Sequence, residues 1–304
     1  MQSTPVLVLS FNRPEATRAV IDALRRVQPT RVYLAVDGPR IDRPDEAGRV
    51  ASVQALAQSI DWPCQVSTLF RVTNLGCKRA VSEAITWFFD QVDAGIILED
   101  DCVPDPSFFP FCAELLERFA DDERIAMISG DNFQFGRRRT GYSYYFSRFP
   151  HIWGWATWRR AWTAYDHDMA TWPEIRDGDW LVDIFGSERS ARFWREVLEE
   201  THADRNNSWA YRWAFSLWTN SRLVVLPNVN LVSNIGVGEG ATHTVGRRNP
   251  FAALPALELD FPLLHPPYVV RDAAADARTE RRMFLGEPLW RRVARRVTRS
   301  REAA

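Results

Sequence analysis

The chain has 304 residues, of which 46% are apolar and 25% charged, so it is long enough for one large domain or two fused halves. Its net charge of −1 at pH 7 gives no indication of nucleic-acid binding, and no apolar run approaches the roughly 20 residues of a membrane-spanning helix. Four cysteines without a Cys-x-x-Cys pair, and an N-terminus without a basic or long apolar segment, predict a cytoplasmic protein.

The first half of the chain alternates predicted strands and helices. Asn12 and Pro14 are typical of the N-cap and first turn of the first helix. The predicted strands cover residues 5–9, 31–36, 65–71 and 95–98. Repeated strand–helix units of this kind predict an α/β fold with a Rossmann-like, mostly parallel central sheet flanked by helices. No Gly-x-Gly-x-x-Gly motif follows the first strand, which argues against NAD or FAD binding.

Three adjacent carboxylates, Glu99, Asp100 and Asp101, directly follow the apolar strand that ends at Leu98. Neighbouring negative charges repel one another, and a divalent metal ion is their usual counter-charge. In an open α/β sheet, ligands bind beyond the carboxyl ends of the strands, where this cluster falls. The alternative is a solvated acidic turn that leads into the prolines at 104 and 106.

Other polar side chains are also expected at strand ends. Their amide, cationic and carboxylate groups suit a base, a phosphate and ribose hydroxyls. Lys78 is the only lysine of the chain. Either a lysine occurs here by chance, or its compact positive charge is required to bind a phosphate. The remaining members of this set are Ser10, Asn12, Arg13, Asp37 and Asn74.

Several motifs in the chain resemble one family. The segments PVLVLSFNRP, NLGCKRA, IILEDD and HIWGWATW, together with Asp37, resemble the GT-A glycosyltransferases. The similarity is greatest to the bacterial HlpA-like (hemolytic-protein-like) nucleotide-diphospho-sugar transferases. It is more distant to the N-acetylglucosaminyltransferase that initiates complex N-glycans. The resemblance covers roughly residues 4–250.

This resemblance implies a domain organisation and roles for the strand-end residues. A GT-A domain would occupy residues 1–268, with a nucleotide-binding half over 1–130 and an acceptor half with a lid loop over 131–268. The first loop, Ser10 to Arg13, would hold the base of a UDP-sugar, and Asp37 would also contact the nucleotide. Asp101 would bind Mn²⁺ or Mg²⁺, while Glu99 and Asp100 would face the donor sugar and ribose.

The second half contains a predicted strand at 125–129 and then many aromatic residues, most of which we expect in the core. The small residues around Trp155 let the backbone approach a ligand, so Trp155 is predicted to form a wall of the sugar site, as the resemblance also implies. Helices are predicted at 190–200 and 209–221, the second capped by Asn207 or Ser208. A strand follows at 223–226.

A polar, glycine-rich segment over residues 233–244 is predicted to be a lid. Within it, His243 could bind the metal ion, contact the pyrophosphate or lie on the surface. Related enzymes fold a comparable loop over the nucleotide, which favours a substrate-binding role.

The catalytic base is where the sequence departs from the family. Related enzymes place a Trp-Asp pair at the start of the helix before the lid, whereas this chain has Trp209-Ala210. A methyl group cannot accept a proton. Asp204 from the preceding loop, Glu239 from the lid, or an acceptor that is already ionised could replace the missing base. We assign Asp204 as the catalytic residue.

The tail over residues 269–304 is basic. From Arg271 onward, ten arginines stand against five acidic residues, so the rest of the chain carries a net charge of −6. Within 289–297, four apolar residues share one helical face opposite the arginines. Such an amphipathic helix either contacts an anionic membrane at its cytoplasmic side or packs on the acidic body.

Together these features predict a metal-dependent, inverting glycosyltransferase. It would move a sugar from a nucleotide-diphospho-sugar to a glycan or another hydroxyl acceptor, as in cell-surface polysaccharide synthesis. One alternative is a sugar-1-phosphate nucleotidyltransferase, which would need a glycine-rich phosphate loop after the first strand. The other is a nucleotide-sugar-binding protein without catalytic activity.

Overall fold

The computed structural model describes residues 3–236, 251 and 254–286. The strands are β1 (Val6–Ser10), β2 (Arg31–Val36), β3 (Gln65–Phe70), β4 (Ala94–Glu99), β5 (Cys102–Pro104), β6 (Ile125–Ser129), β7 (Tyr144–Ser147), β8 (Trp155–Trp158), β9 (Leu223–Pro227) and β10 (Val232–Asn234). The helices are α1 (Pro14–Val27), α2 (Asp45–Ala55), α3 (Gly76–Phe89), α4 (Phe108–Arg118), α5 (Arg159–Trp162), α6 (Trp172–Ile175), α7 (Trp180–Phe185), α8 (Glu188–His202), α9 (Trp209–Thr219) and α10 (Ala273–Met283). No helix within these ranges combines the length and apolarity needed to cross a bilayer.

An eight-stranded sheet in the order β3-β2-β1-β4-β8-β6-β9-β7 forms the centre of the protein. The four strands β3, β2, β1 and β4 are all parallel, joined by helices that cover both faces. Strands β1, β2 and β4 are mostly apolar because inner parallel strands are buried on both sides, whereas the edge strand β3 is partly polar and largely exposed. The predicted α/β fold with a Rossmann-like sheet is confirmed. Strand order reverses between β1 and β4, which is the topological switch point of the sheet.

The other half of the sheet is mixed. Strand β8 lies antiparallel between β4 and β6, and β7 runs antiparallel to β9 at the edge. From the sequence, both segments are expected only as aromatic core and not as strands. Their side chains are buried, as expected for core, and because every residue of these four-residue strands is buried, the alternation that marks a strand is missing.

Two helix starts test the predicted caps. Asn12 is not the N-cap of α1: Arg13 occupies that position without a side-chain cap, and the Asn12 amide instead donates to Glu46 at 3.1 Å. Pro14 does begin the helix, as predicted. Of the two caps proposed for α9, Ser208 accepts the bond, from the backbone N–H of Tyr211.

A second apolar cluster is built from helices α7, α8 and α9 beside the sheet. The C-terminal helix α10 packs against this region through Asp276, which accepts from Ser147, and Glu280, which accepts from Ser190 and Trp194. The first part of the predicted tail is thus attached to β7 and α8. The domain boundary at 268 stays a prediction, and the amphipathic segment at 289–297 lies outside the described residues.

Candidate functional site

The loop after β1 and the turn after β4 face each other at the switch point. Leu9 and Glu99 are register partners on the two parallel strands, so Arg13 from one loop meets the carboxylates of the other. The Arg13 guanidinium forms ion pairs with Asp100 and, through Nη1 at 2.9 Å, with Asp101 Oδ2. The acidic cluster is therefore balanced by a cation of the protein itself.

The pKa of Glu99 is shifted more strongly than that of Asp100. Burial, together with the charges of Asp101 and Asp100, raises the pKa of Glu99 to about 8. The Trp209 side chain donates a hydrogen bond to Glu99, whereas the enclosed Oε1 has no partner among the described residues. Burial also raises the pKa of Asp100 to about 6, against the opposing charge of Arg13. These carboxyl groups are hence poised to change charge near neutral pH.

Asp101 joins the acidic cluster to the segment that leads into the predicted lid. Strand β10 pairs antiparallel with β5, the strand that follows Asp101 directly. The Asn234 amide is 3.4 Å from Asp101 Oδ1, and the backbone N–H of Ile235 donates to the Asp101 carbonyl at 2.8 Å. A Cβ at Gly236 would lie 1.9 Å from Asp101 Oδ2, so any larger residue there would displace the Asp101 side chain. The predicted lid residue His243 lies outside the described residues.

Asp37 and Asn74 are bonded to each other. The Asp37 carboxylate accepts bonds from the Asn74 amide at 2.9 Å and from the backbone N–H groups of Leu75 and Gly76. Burial raises the pKa of Asp37 in spite of these bonds. Both residues lie at strand ends as predicted. In this structure they hold the start of α3 in place, and their contact with a nucleotide stays a prediction.

Lys78 and Asp204 also form a pair. Lys78 Nζ lies 2.6 Å from Asp204 Oδ1, and Arg212 Nη2 contacts the same oxygen at 3.1 Å. The hydrogen bond from Lys78, followed by the charges of Lys78 and Arg212, lowers the pKa of Asp204. The Asn207 side chain accepts from the Lys78 backbone, so the loop before α9 is docked on the start of α3. The predicted phosphate ligand and the predicted base thus lie together.

Trp155 lies in the core of the protein. Its ring is fully buried on β8, stacked at 5.8 Å on Trp209 and packed against Trp213. Trp155 is thus one layer behind Trp209, whose indole contacts Glu99. Its role as a wall of the sugar site stays a prediction. Ala210, next to Trp209, is partly buried against the same core.

Three polar residues near the cluster were not expected from the sequence. Asp131 comes two residues after β6, its Oδ2 accepts from the Trp153 backbone at 3.0 Å, and its Oδ1 has no partner among the described residues. Burial raises the pKa of Asp131 well above its usual range. Glu46 accepts from Asn12, and Asn234 contacts Asp101. Asp131 could have been found because it obeys the same strand-end rule, whereas the other two have no sequence signal.

The described residues fit a metal ion that arrives with a substrate. Within the described ranges, no group of three or more His, Cys, Asp or Glu side chains is placed to hold a metal. Mg²⁺ is usually held by one or two carboxylates together with the phosphates of its substrate, not by an all-protein cage. Asp101 offers a hard oxygen ligand whose counter-charge in this structure is Arg13. Cation binding at Asp101 would therefore compete with that ion pair.

Neither a protein-family model nor a curated protein sequence matches the chain. Similar solved structures include HddC from Yersinia pseudotuberculosis, at 10% identity and a TM-score of 0.32 over 52% of this chain and 77% of that one. A cytidylyltransferase from Leptospira borgpetersenii serovar Hardjo-bovis has 14% identity and a TM-score of 0.33, over 54% of this chain and 64% of that one. The 4-diphosphocytidyl-2C-methyl-D-erythritolsynthase from Anaerococcus prevotii has 8% identity and a TM-score of 0.34, over 66% of this chain and 100% of that one. Similarities this low carry no argument about activity.

Proposed function

We propose that the protein is a metal-dependent, inverting glycosyltransferase that uses a nucleotide-diphospho-sugar, most simply a UDP-sugar. The observation that supports this most directly is the cluster of Arg13, Asp100 and Asp101 at the switch point between β1 and β4. Ligands of open α/β sheets bind in the crevice at this place. The motifs that resemble GT-A glycosyltransferases fall on the same residues, which supports glycosyl transfer over other uses of the crevice.

In this proposal the nucleotide lies across the ends of β1, β2 and β4. The loop from Ser10 to Arg13 holds the base, and Glu99 and Asp100 bind hydroxyls of the donor sugar and ribose. Asp101 holds Mn²⁺ or Mg²⁺, which supplies positive charge to the diphosphate leaving group. His243 and Trp155 remain proposed contacts of the donor.

Lys78 and Asp204 would act in sequence. When a bound diphosphate forms an ion pair with Lys78, Lys78 no longer pairs with Asp204. Asp204 then loses its strongest hydrogen-bond partner. The pKa of Asp204 then rises, because the bond from Lys78 is the main cause of its lowering. Asp204 is thus ionised before the donor binds and becomes a better base once the donor is in place.

The acceptor is proposed to be a glycan or another hydroxyl compound in cell-surface polysaccharide synthesis. The proposed location is cytoplasmic, with membrane contact through the tail helix at 289–297 as a further prediction. All four cysteines are free thiols, which agrees with a reducing compartment.

A sugar-1-phosphate nucleotidyltransferase is the main alternative. Such an enzyme needs a glycine-rich loop after its first strand, and here residues 11–13 contain no glycine before α1 begins at Pro14. A turnover assay separates the possibilities. UDP release with an acceptor supports the proposal, pyrophosphate consumption supports the alternative, and binding without either indicates a protein without catalytic activity.

The variant Asp101→Asn tests the metal assignment. It keeps the side-chain shape but removes the charge, so Mn²⁺-dependent affinity for UDP should fall at least about tenfold. Calorimetric titration of UDP with and without Mn²⁺ measures this, and Asp42→Asn, at an exposed loop position, is the matched control. Unchanged metal-dependent affinity in Asp101→Asn would contradict the central assignment.

A further inference from the structure

Six arginines are here called the arginine face: Arg278, Arg281 and Arg282 on α10, Arg137 and Arg139 within electrostatic range of Arg278, and Arg138 between these two in the chain. The three on α10 are spaced three and four residues apart, so they share one side of that helix. The opposite side carries Asp276 and Glu280, which are buried against the body. Arg139 joins the two elements through its ion pair with Asp272, the residue before α10, at 3.0 Å.

The positive charge of the arginine face is mostly uncompensated. Of the six guanidinium groups, only that of Arg139 pairs with a carboxylate within the described residues. Burial and the charges of Arg282, Arg137, Arg139 and Arg281 lower the pKa of Arg278, so these groups lie within electrostatic range of one another. The enclosed Nε of Arg278 has no acceptor among the described residues. Like charges held this close favour a negatively charged partner.

Exposed apolar side chains lie beside residues 137–143. Leu264, Tyr268 and Val270 are 55%, 51% and 64% exposed, which is unusual for large apolar groups. Leu264 and Ser143 bond each other, and the Tyr268 ring lies 6.2 Å from that of Tyr142. Residues 137–143 therefore connect the arginine face on one side to these apolar residues on the other, beside the edge strand β7.

We propose that this combined surface binds an anionic lipid bilayer, with the arginines on phosphate headgroups and the three apolar side chains in the interfacial layer. Basic and apolar groups on one surface are the physical signature of interfacial binding. A nucleic acid would use the charges but leaves aliphatic side chains such as Leu264 and Val270 without a partner. The chain continues from α10 into a segment with six further arginines, which adds charge of the same sign. This inference is independent of the proposed reaction.

The test uses the full chain and vesicles of phosphatidylcholine, with or without about 30% phosphatidylglycerol. The triple variant Arg137→Gln, Arg138→Gln, Arg281→Gln changes three exposed arginines that have no ion pair among the described residues. The matched control changes three exposed arginines elsewhere, Arg18→Gln, Arg43→Gln and Arg192→Gln. Each basic group near an anionic surface contributes about fivefold in partitioning, so the first triple should lose about 100-fold and the control only a few-fold.

Two further measurements complete the test. The first distinguishes bilayer insertion from charge attraction alone, and the second distinguishes it from binding of a soluble phosphate. Leu264→Ser with Val270→Ser should weaken binding at high salt, where charge is screened and apolar insertion dominates. Millimolar glycerol 1-phosphate should leave vesicle binding unchanged. Equal losses in the two triple variants, no preference of the wild-type protein for anionic vesicles, or displacement by the soluble phosphate would each overturn the proposal. UDP binding by all variants is measured in parallel, and its loss would concern the proposed function alone.

Discussion

Glu99 shows how the acidic cluster links charge to folding. Its pKa of about 8 lies above the ordinary value of 4.5 because burial and two neighbouring carboxylates disfavour its charged form. Between these two values the folded state binds more protons than the unfolded state. The free energy of unfolding therefore falls as pH rises through this window and levels off above about pH 8. The carboxylate proposed to bind a sugar hydroxyl thus makes the free protein less stable at alkaline pH.

We expect Glu99→Gln to remove most of this pH dependence. One pKa unit corresponds to about 1.4 kcal/mol, so the wild-type protein should lose up to about 3 kcal/mol between about pH 6 and pH 8 through this group. The variant should lose much less and be the more stable of the two at the higher pH. Urea unfolding without ligand at the two pH values measures the difference. Glu196→Gln, at an exposed position on α8, controls for the chemical change. Parallel slopes for wild type and Glu99→Gln would show that Glu99 titrates normally.

The base assignment is tested at Asp204. Removing a general base typically lowers the rate about 10²–10⁴-fold, so Asp204→Asn should reduce turnover by that order. Asp204 is 60% exposed in its ion pair with Lys78, so the free energy of unfolding should change by less than about 1 kcal/mol and UDP affinity only little. Steady-state kinetics and calorimetric titration separate these effects, with Glu239→Gln as the matched control. Normal turnover of Asp204→Asn, combined with faster turnover of Ala210→Asp, would move the base to position 210.

At the scale of elements, the site depends on how β10 is held against β5. Gly236 passes so close to Asp101 and Arg13 that a methyl group there would separate the two side chains. Gly236→Ala should therefore weaken Mn²⁺-dependent UDP binding by about tenfold, because it disturbs the proposed metal ligand, while the melting temperature changes little. Gly141→Ala is the control, since a Cβ at residue 141 would meet no atom within 4 Å. Equal UDP affinities for the two variants would show that the approach of Gly236 to Asp101 is unimportant for binding.

Most elements of the first half of the chain could be predicted because they have a clear local signal. Strands β1, β2 and β4 contain continuous apolar runs, and Pro14 marks the start of α1. The strand-end rule then places Arg13 and the acidic residues in one crevice without any knowledge of tertiary structure. The need for a counter-charge follows from three adjacent carboxylates, but the sequence indicates a divalent metal ion and does not predict the ion pair with Arg13.

Other features of the site depend on contacts that the sequence does not record. Asp37 bonds to Asn74 because two loops from different strands meet, and no spacing in the chain indicates this. Trp155 lies behind Trp209 because β8 is inserted antiparallel between β4 and β6. The sequence identifies neither the insertion nor the face of the strand. Lys78 and Asp204 are 126 residues apart, and only the docking of their loops brings them together.

At the scale of the whole molecule, a buried ion pair joins elements of the second half of the chain. Arg148 follows β7 and Asp276 lies on α10, and their side chains are 3.3 Å apart with 6% and 1% exposure. The pair connects the edge of the central sheet to the C-terminal helix. Arg148 also lies over the Phe185 ring, at 4.7 Å, so the same residue contacts the helical cluster of α7 to α9. Sheet, helical cluster and C-terminal helix therefore meet at one guanidinium group.

Removing one partner of this ion pair should lower the free energy of unfolding far more than replacing both partners with apolar residues. Asp276→Ala leaves a buried guanidinium without its carboxylate, so the free energy of unfolding should fall by about 3–5 kcal/mol. Arg148→Met combined with Asp276→Leu removes both charges and fills the space, and should recover most of that loss. Asp45→Ala, which breaks the exposed pair with Arg49, should cost less than about 1 kcal/mol and serves as the control. Urea unfolding of the full chain gives all three values. If Asp276→Ala is no less stable than Asp45→Ala, α10 is held on the body by its apolar contacts and by Glu280, and the ion pair contributes little.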